Sequence, residues 1–247
     1  MSLLEVTDLA KSYGGVAAVD GVSFALEAGE LLALIGPNGA GKTTCFNMLG
    51  GQLRPDRGSI RLAGEEIAGL RPREIWRLGV GRTFQITATF GSMTVAENLQ
   101  MALISHHGRS LALWPRATTL YREEATALLE RVGMAEQAGR ACALLAYGDL
   151  KRVELALALA NAPRLLLMDE PAAGMAPAER RALMALVDEI VRERGIAVLF
   201  TEHDMDIVFG HARRLLVLDR GRVIAEGSPA QVRADPRVRA AYLGGAA

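Results

Sequence analysis

Residues Gly36 to Thr43 read G-P-N-G-A-G-K-T. A glycine, four residues and then Gly-Lys-Thr is the spacing of a loop that wraps the phosphates of a nucleoside triphosphate in its own backbone N–H groups. Glycine at 36, 39 and 41 keeps side chains out of that cradle, and Pro37, Asn38 and Ala40 complete the loop. Lys42 brings a compact positive charge to the terminal phosphates. The Thr43 hydroxyl can hold Mg²⁺, and Thr44 continues the first turn of a helix whose positive end faces the anion. Of 28 basic residues only Lys11, Lys42 and Lys151 are lysines, so a chance Gly-Lys-Thr at this spacing would be rare.

Further residues along the chain fit the same chemistry. Leu165 to Glu170 reads L-L-L-M-D-E, an apolar strand ending in two carboxylates. Open α/β sheets place their ligands at such strand ends. Asp169 is a hard oxygen donor suited to Mg²⁺, and Glu170 can orient and activate an attacking water. Gln85, after V-G-R-T-F, offers an amide that can touch both metal and water. His203, in T-E-H-D-M, follows an apolar strand and can reach a γ-phosphate while holding the catalytic carboxylate. A rival reading makes Glu202, His203, Asp204 and Asp206 a metal site, although consecutive residues rarely converge on one ion. Tyr13 could stack on adenine or simply pack in the core. His106 and His107 read as solvated loop residues.

Strand, glycine-rich loop and helix must follow one another for the phosphate loop to work. Leu31 to Ile35 supplies the strand and Thr44 to Leu49 the helix. Leu3 to Val6, Val22 to Leu26 and Ser59 to Leu62 read as further strands, with turn residues at Arg54 to Gly58. From Thr94 the apolar spacing becomes helical. Thr94 to Ile104, Thr119 to Val132 and the nearly all-apolar Leu150 to Ala160 are expected helices. Leu165 to Met168, Ile196 to Thr201 and Leu215 to Leu218 are expected strands, the last followed by a hairpin turn at Asp219 to Arg222. Between them Pro177 opens a helix with a Leu183, Leu186, Val187, Ile190, Val191 stripe, and Gly195 closes it. The pattern is an α/β nucleotide core with a helical lobe inserted.

Composition narrows the rest. The 247 residues carry no formal net charge and half are hydrophobic. No basic footprint for nucleic acid is visible. The N-terminus reaches Glu5 without the charged-then-apolar order of a signal peptide, and no apolar stretch approaches membrane-span length. Cys45 and Cys142 are too few for a disulfide framework. They read as buried small hydrophobes in a reducing cytosol.

These motifs in this order resemble the ATP-binding subunit of ATP-binding cassette (ABC) transporters over essentially the whole chain. The resemblance adds Leu145-Ala146-Tyr147-Gly148-Asp149 at the family signature, usually L-S-G-G-Q, and Ala172 to Ala176 at the segment called the D-loop. It implies an α/β P-loop NTPase (RecA-like) core with an N-terminal antiparallel β subdomain and an inserted α-helical subdomain. The divisions are residues 1–88, 89–160 and 161–247. It also implies ATP and Mg²⁺ held by Thr43, Gln85 and Asp169, and a partner ATP-binding subunit, identical or not. In such a pair each ATP lies between one phosphate loop and the other chain's signature, so Ala146, Tyr147, Gly148 and Asp149 act on the partner's ATP. Two transmembrane permease subunits, and indirectly a periplasmic binding protein, complete the expected system at the cytoplasmic face of the inner membrane.

Within the family the chain is most similar to branched-chain amino acid importer ATPases. The likeness lies in R-T-F-Q at Arg82, M-T-V-A-E-N-L at Met93, the linker through Trp114, L-A-Y-G, D-E-P-A-A-G, T-E-H-D-M and A-Y-L-G at Ala241. Urea, amide or aromatic-acid importers and a lipopolysaccharide exporter are the alternatives. A soluble ABC protein of translation or repair usually carries two cassettes, and a GTPase would need an N/T-K-x-D motif that is absent. Three positions depart from the family pattern. Ala146 lacks the signature serine hydroxyl, Asp149 replaces glutamine, and Ala176 replaces the D-loop aspartate. The expectation is a sound site on this chain's own phosphate loop and a weaker one completed by its signature.

Overall fold

A computed structural model describes residues 2–83, 89–109 and 119–243. In chain order its first elements are β1 (Leu4–Tyr13), β2 (Val16–Leu26), β3 (Leu31–Ile35), α1 (Lys42–Leu49), β4 (Arg57–Leu62), β5 (Glu65–Glu66), α2 (Pro72–Arg77) and β6 (Val80–Thr83). Three helices follow, α3 (Val95–His106), α4 (Arg122–Arg131) and α5 (Tyr147–Leu159). The chain then runs through β7 (Leu165–Asp169), α6 (Pro177–Arg194), β8 (Ala197–Thr201), α7 (Met205–His211), β9 (Arg214–Asp219), β10 (Arg222–Gly227), α8 (Pro229–Ala234) and α9 (Pro236–Leu243).

Two sheets carry these strands. One is antiparallel with order β2-β1-β4-β5. The other has order β10-β9-β3-β8-β7-β6, parallel except for β10 against β9. Every residue of β3, β7 and β8 is buried, which is why each reads as an unbroken apolar run. Successive side chains of these strands feed two different cores. Leu31, Ala33, Ile35, Leu166, Met168, Val198 and Phe200 pack with the helices α3 to α6. Leu32, Leu34, Leu165, Leu167, Ala197 and Leu199 pack with α1 and the antiparallel sheet. The mixed sheet is therefore the middle layer of the molecule.

Several expected boundaries move. β1 and β2 are 10 and 11 residues long, well beyond their apolar ends, because an antiparallel sheet with one face toward water tolerates polar residues at alternate positions. α3 starts as expected, with Thr94 and Glu97 closing a reciprocal capping box. α5 begins three residues earlier than its apolar run, so Tyr147 to Asp149 form its first turn. Met184 is buried in the α6 stripe where Leu186 was expected, and Leu186 is half-buried. Arg220 and Gly221, both with positive φ, make the two-residue turn between β9 and β10. His106 ends α3 rather than lying in a loop, and its ring meets Trp76 edge-on at 5.3 Å. His107 stacks on Tyr121 at 4.3 Å and faces Glu124. Both cysteines are buried, and burial pushes the Cys45 thiol up to about 12.

Candidate active site

Strand order brings the chemical residues together. β8 lies between β3 and β7, and β6 flanks β7. Their carboxyl ends therefore place the phosphate loop, Thr201 to His203, Asp169 with Glu170, and Arg82 with Thr83 side by side. Gln85 follows β6 directly but falls outside the described residues, as does Phe84 before it.

The phosphate loop is shaped by its contacts. A Cβ on Gly36 would collide with the Leu218 carbonyl oxygen, and one on Gly41 with that of Ala18. Gly39 differs: a Cβ there would meet nothing within 4 Å, so its φ of 79° rather than lack of room calls for glycine. Lys42 opens α1 and its Nζ donates to the Gly36 carbonyl at 2.7 Å and the Pro37 carbonyl at 3.1 Å. Burial lowers the Lys42 pKa, opposed by the charges of Glu170 and Asp169. Thr43 is exposed and Thr44 half-buried in the same turn. The start of α1 has no side-chain cap and no acidic residue, which leaves its positive end open to an anion.

Opposite the loop, one hydroxyl joins both carboxylate residues. Thr201 Oγ1 donates to Asp169 Oδ1 at 2.8 Å and accepts from the Glu170 N–H at 3.0 Å. Glu170 has φ 49°, a costly conformation for a residue with a side chain. Its Oε1 lies 2.7 Å from His203 Nε2. Arg82 spans the floor. Its guanidinium donates to Phe46 O, Gln52 Oε1 and Asn47 Oδ1, and approaches Asp169 Oδ2 at 3.9 Å. It thereby ties the end of α1 to the end of β7. Burial lowers the Arg82 pKa, and Asp169 acts against that.

The rival metal reading of residues 202–206 does not hold. Glu202 spends its oxygens on the N–H groups of Ala172 at 3.0 Å and His203 at 3.1 Å. Asp204 caps α7 through the Asp206 N–H and pairs with Arg180. Among the described residues no three His, Cys, Asp or Glu side chains converge to hold a metal. Tyr13 ends β1 with half its surface exposed, so it is not a core residue.

The signature residues sit elsewhere. Ala146 is the residue before α5 and offers no side-chain cap, while Tyr147 is exposed and Asp149 half-buried in the first turn. Gly148 is buried so close to α6 that a Cβ would stand 3.1 Å from the Glu179 carboxyl carbon. Among the described residues no hydrogen bond or ion pair joins residues 146–149 to the phosphate loop. Thr201, Arg82 and Arg180 are the participants that sequence reasoning missed, and Glu202 takes a backbone-bracing role instead of a metal-binding one. The available signals were a threonine closing an apolar strand and an arginine inside one.

This site on this fold defines an ATP-binding cassette. The family described as ABC transporter matches residues 19–173, more than half of the chain, and the chain belongs to it. A second family, described as branched-chain amino acid ATP-binding cassette transporter, matches residues 222–247. The chain is 42% identical over 249 residues to the high-affinity branched-chain amino acid transport ATP-binding protein BraF of Pseudomonas aeruginosa, covering 98% of each. It is 41% identical over 251 residues to the corresponding protein LivG of Escherichia coli K12, again covering 98% of each. The ADP conformation of MJ1267, an ATP-binding cassette of an ABC transporter, superposes with TM-score 0.88 at 32% identity, covering 99% of each chain. The protein is thus the ATP-binding subunit of an ABC transporter, an ATPase whose hydrolysis is coupled to transport. None of its described helices is long and apolar enough to cross a membrane.

Proposed function

We propose that this subunit powers uptake of branched-chain or chemically related amino acids. It works at the cytoplasmic face of the inner membrane, with a second ATP-binding subunit, two permease subunits and a periplasmic binding protein upstream. The importer reading rests on the family match at residues 222–247 together with the whole-length likeness to BraF and LivG. Residues 1–88 and 161–247 act as the nucleotide core and residues 89–160 as the lobe that moves against it. An apolar groove of about 500 Å³ is lined by Ile75, Trp76, Phe90, Met101 and Leu157.

The observation that carries the catalytic reading is the 2.7 Å contact between Glu170 and His203 beside the phosphate loop. Residues 36–44 bind the phosphates, with Lys42 exchanging its loop carbonyls for phosphate oxygens, and Tyr13 offers its exposed ring to adenine. Glu170 accepts a proton from the attacking water and His203 keeps that carboxylate aimed. The exposed Thr43 hydroxyl and the Asp169 carboxylate are the hard oxygen donors that Mg²⁺ requires, with Gln85 as the third group. Bound there, Mg²⁺ would neutralise phosphate charge. Ala146, Tyr147, Gly148 and Asp149 face the ATP of the second subunit.

Purifying the native complex and identifying its subunits tests the assembly. Uptake of labelled leucine, urea and an aromatic acid by vesicles holding that complex tests the substrate. Leucine transport lost in Glu170→Gln is expected. Urea uptake without leucine uptake would overturn the substrate assignment.

A further inference from the structure

His203 is flanked in sequence by two residues that both reach across to the segment after Glu170. On one side Glu202 accepts from the Ala172 N–H and from His203's own N–H. On the other side Asp204 Oδ2 takes Arg180 Nη1 at 2.6 Å, and the same guanidinium donates through Nε to the Met175 carbonyl at 2.8 Å. Asp204 Oδ1 meanwhile caps α7. Residues 172–175 are turned back on Glu170 by the Ala173 N–H to Glu170 carbonyl bond. The two loops carrying Glu170 and His203 are therefore braced at both ends. Tyr147 of α5 rests on the middle of the brace, since a Cβ at Gly174 would lie 3.2 Å from its ring.

A planar guanidinium holds Met175 and Asp204 through two separate nitrogens in a rigid fork, a geometry that the single nitrogen of a lysine does not reproduce. Glu202 holds the near end of the brace by accepting from the Ala172 N–H. At the far end, among the described residues, Arg180 makes the link between Met175 and Asp204. The geometry points to Arg180 as a positioning residue for ATP hydrolysis. It locks the segment 172–175 to the loop 202–204 and so holds His203 at hydrogen-bonding distance from Glu170. The inference rests on the proposed roles of Glu170 and His203. Arg180 acts through its contacts to the Met175 carbonyl and the Asp204 carboxylate.

A double-mutant cycle tests it in the assembled transporter, with kcat and KM for ATP read separately. Arg180→Gln should lower kcat about 10- to 100-fold, the cost of a small misplacement, and leave KM within about twofold. Arg180→Lys should recover melting temperature more than kcat, because one ammonium replaces the ion pair but not both contacts. His203→Ala should lower kcat on its own, and adding Arg180→Gln to it should cost almost nothing more, since both act through the same imidazole. Additive losses in the double variant would overturn the role of Arg180 while leaving the Glu170–His203 reading in place. A His203→Ala variant with unchanged kcat would overturn that reading instead. Should Arg180→Gln fail to fold, the split between rate and melting temperature in Arg180→Lys decides alone, and full recovery of both refutes the brace.

Discussion

Replacing Thr201 by valine keeps the shape of a fully buried side chain and removes one hydroxyl. That hydroxyl makes two bonds, one to the Asp169 carboxylate and one from the Glu170 N–H. A bond to a charged group contributes about 1.5–3 kcal/mol and a neutral one about 1 kcal/mol. Their combined loss should destabilise the subunit by roughly 2.5–4 kcal/mol. At about 2–4 °C per kcal/mol for a chain of this size, the melting temperature should fall by roughly 5–15 °C. The catalytic consequence comes through Glu170. Its backbone, at φ 49°, sits in a conformation costing about 1–3 kcal/mol that persists only while its surroundings hold it. Without Thr201 the carboxylate should drift, lowering kcat on the order of 100-fold. Nucleotide affinity should stay within about twofold, since the Lys42 and loop contacts do not involve Thr201. Thermal melts and fluorescent-nucleotide titration of the isolated subunit, with phosphate release from the assembled transporter, measure the three quantities. Thr201→Ser should restore all of them. A lower melting temperature with unchanged kcat would show that Thr201 only supports the fold, and a matching loss of nucleotide affinity would refute the route through Glu170.

The other perturbations act on separate parts of the site. Gly41→Ala places a Cβ against the Ala18 carbonyl oxygen at φ 103°, so nucleotide binding in a titration should fall well below wild type, and normal binding would contradict the described loop. Burial, with the Glu170 charge, holds Glu202 above the usual carboxylate value of 4.5 against N–H donation from Ala172, His203 and Asp204. The stability contributed by the protonated form is fully present below the unfolded value and is lost as pH rises through the raised folded value. The melting-temperature difference between wild type and Glu202→Gln should therefore move toward the variant as pH increases from 4.5, and a constant difference would count against the shift. Asp149→Gln should tighten ATP-driven closure by removing a negative charge from the first turn of α5, and unchanged ATP affinity and ATPase rate in the complex would refute the repulsion. Finally, Glu170→Gln in this chain should cost more transport than the matching change in a non-identical partner subunit, and equal losses would rule out unequal sites.

How much of this was legible depended on what each residue answers to. β3, β7 and β8 are buried on both faces, so their apolar runs announced them almost to the residue. The phosphate loop was legible because backbone geometry demands glycine at fixed spacing, although at Gly39 the demand is conformational rather than steric. β1 and β2 were read short because polar residues and a glycine interrupt them, Thr7 and Asp8 in β1 and Asp20 and Gly21 in β2, before their buried apolar residues resume. Thr201, Arg82 and Arg180 were missed for a different reason. Each acts partly by touching a group far away in sequence, Thr201 the Glu170 N–H, Arg180 Asp204 and Arg82 Phe46 and Asp169, and no local pattern records such a partner. The rival metal reading of Glu202 arises because a carboxylate beside a histidine looks the same in sequence whether its lone pairs go to an ion or to backbone N–H groups.

The departures in the signature gain physical content from where α5 begins. A helix N-terminus attracts an anion by up to about 1 kcal/mol at ordinary exposure. Here Ala146 brings no hydroxyl to that end, and Asp149 lies within its first turn. The Glu179 carboxylate lies against Gly148 on the same turn. At about 6 Å and an effective dielectric constant of about 20, one carboxylate opposes one phosphate charge by about 3 kcal/mol. The repulsion thus exceeds the attraction of the helix end unless a cation stands between them. Of the two basic residues in that stretch, Lys151 is buried and paired with Glu154 at 2.9 Å, and Arg152 donates to the Val132 carbonyl. The first turn of α1 carries no acid, and its lysine faces the site and is set against the nearby charges of Glu170 and Asp169. The same chain therefore presents a favourable anion site at the start of α1 and an unfavourable one at the start of α5. In a dimer of two such chains both composite sites would inherit the defect. In the proposed pairing, a partner whose signature lacks the acid would leave the site on this chain's phosphate loop free of that repulsion.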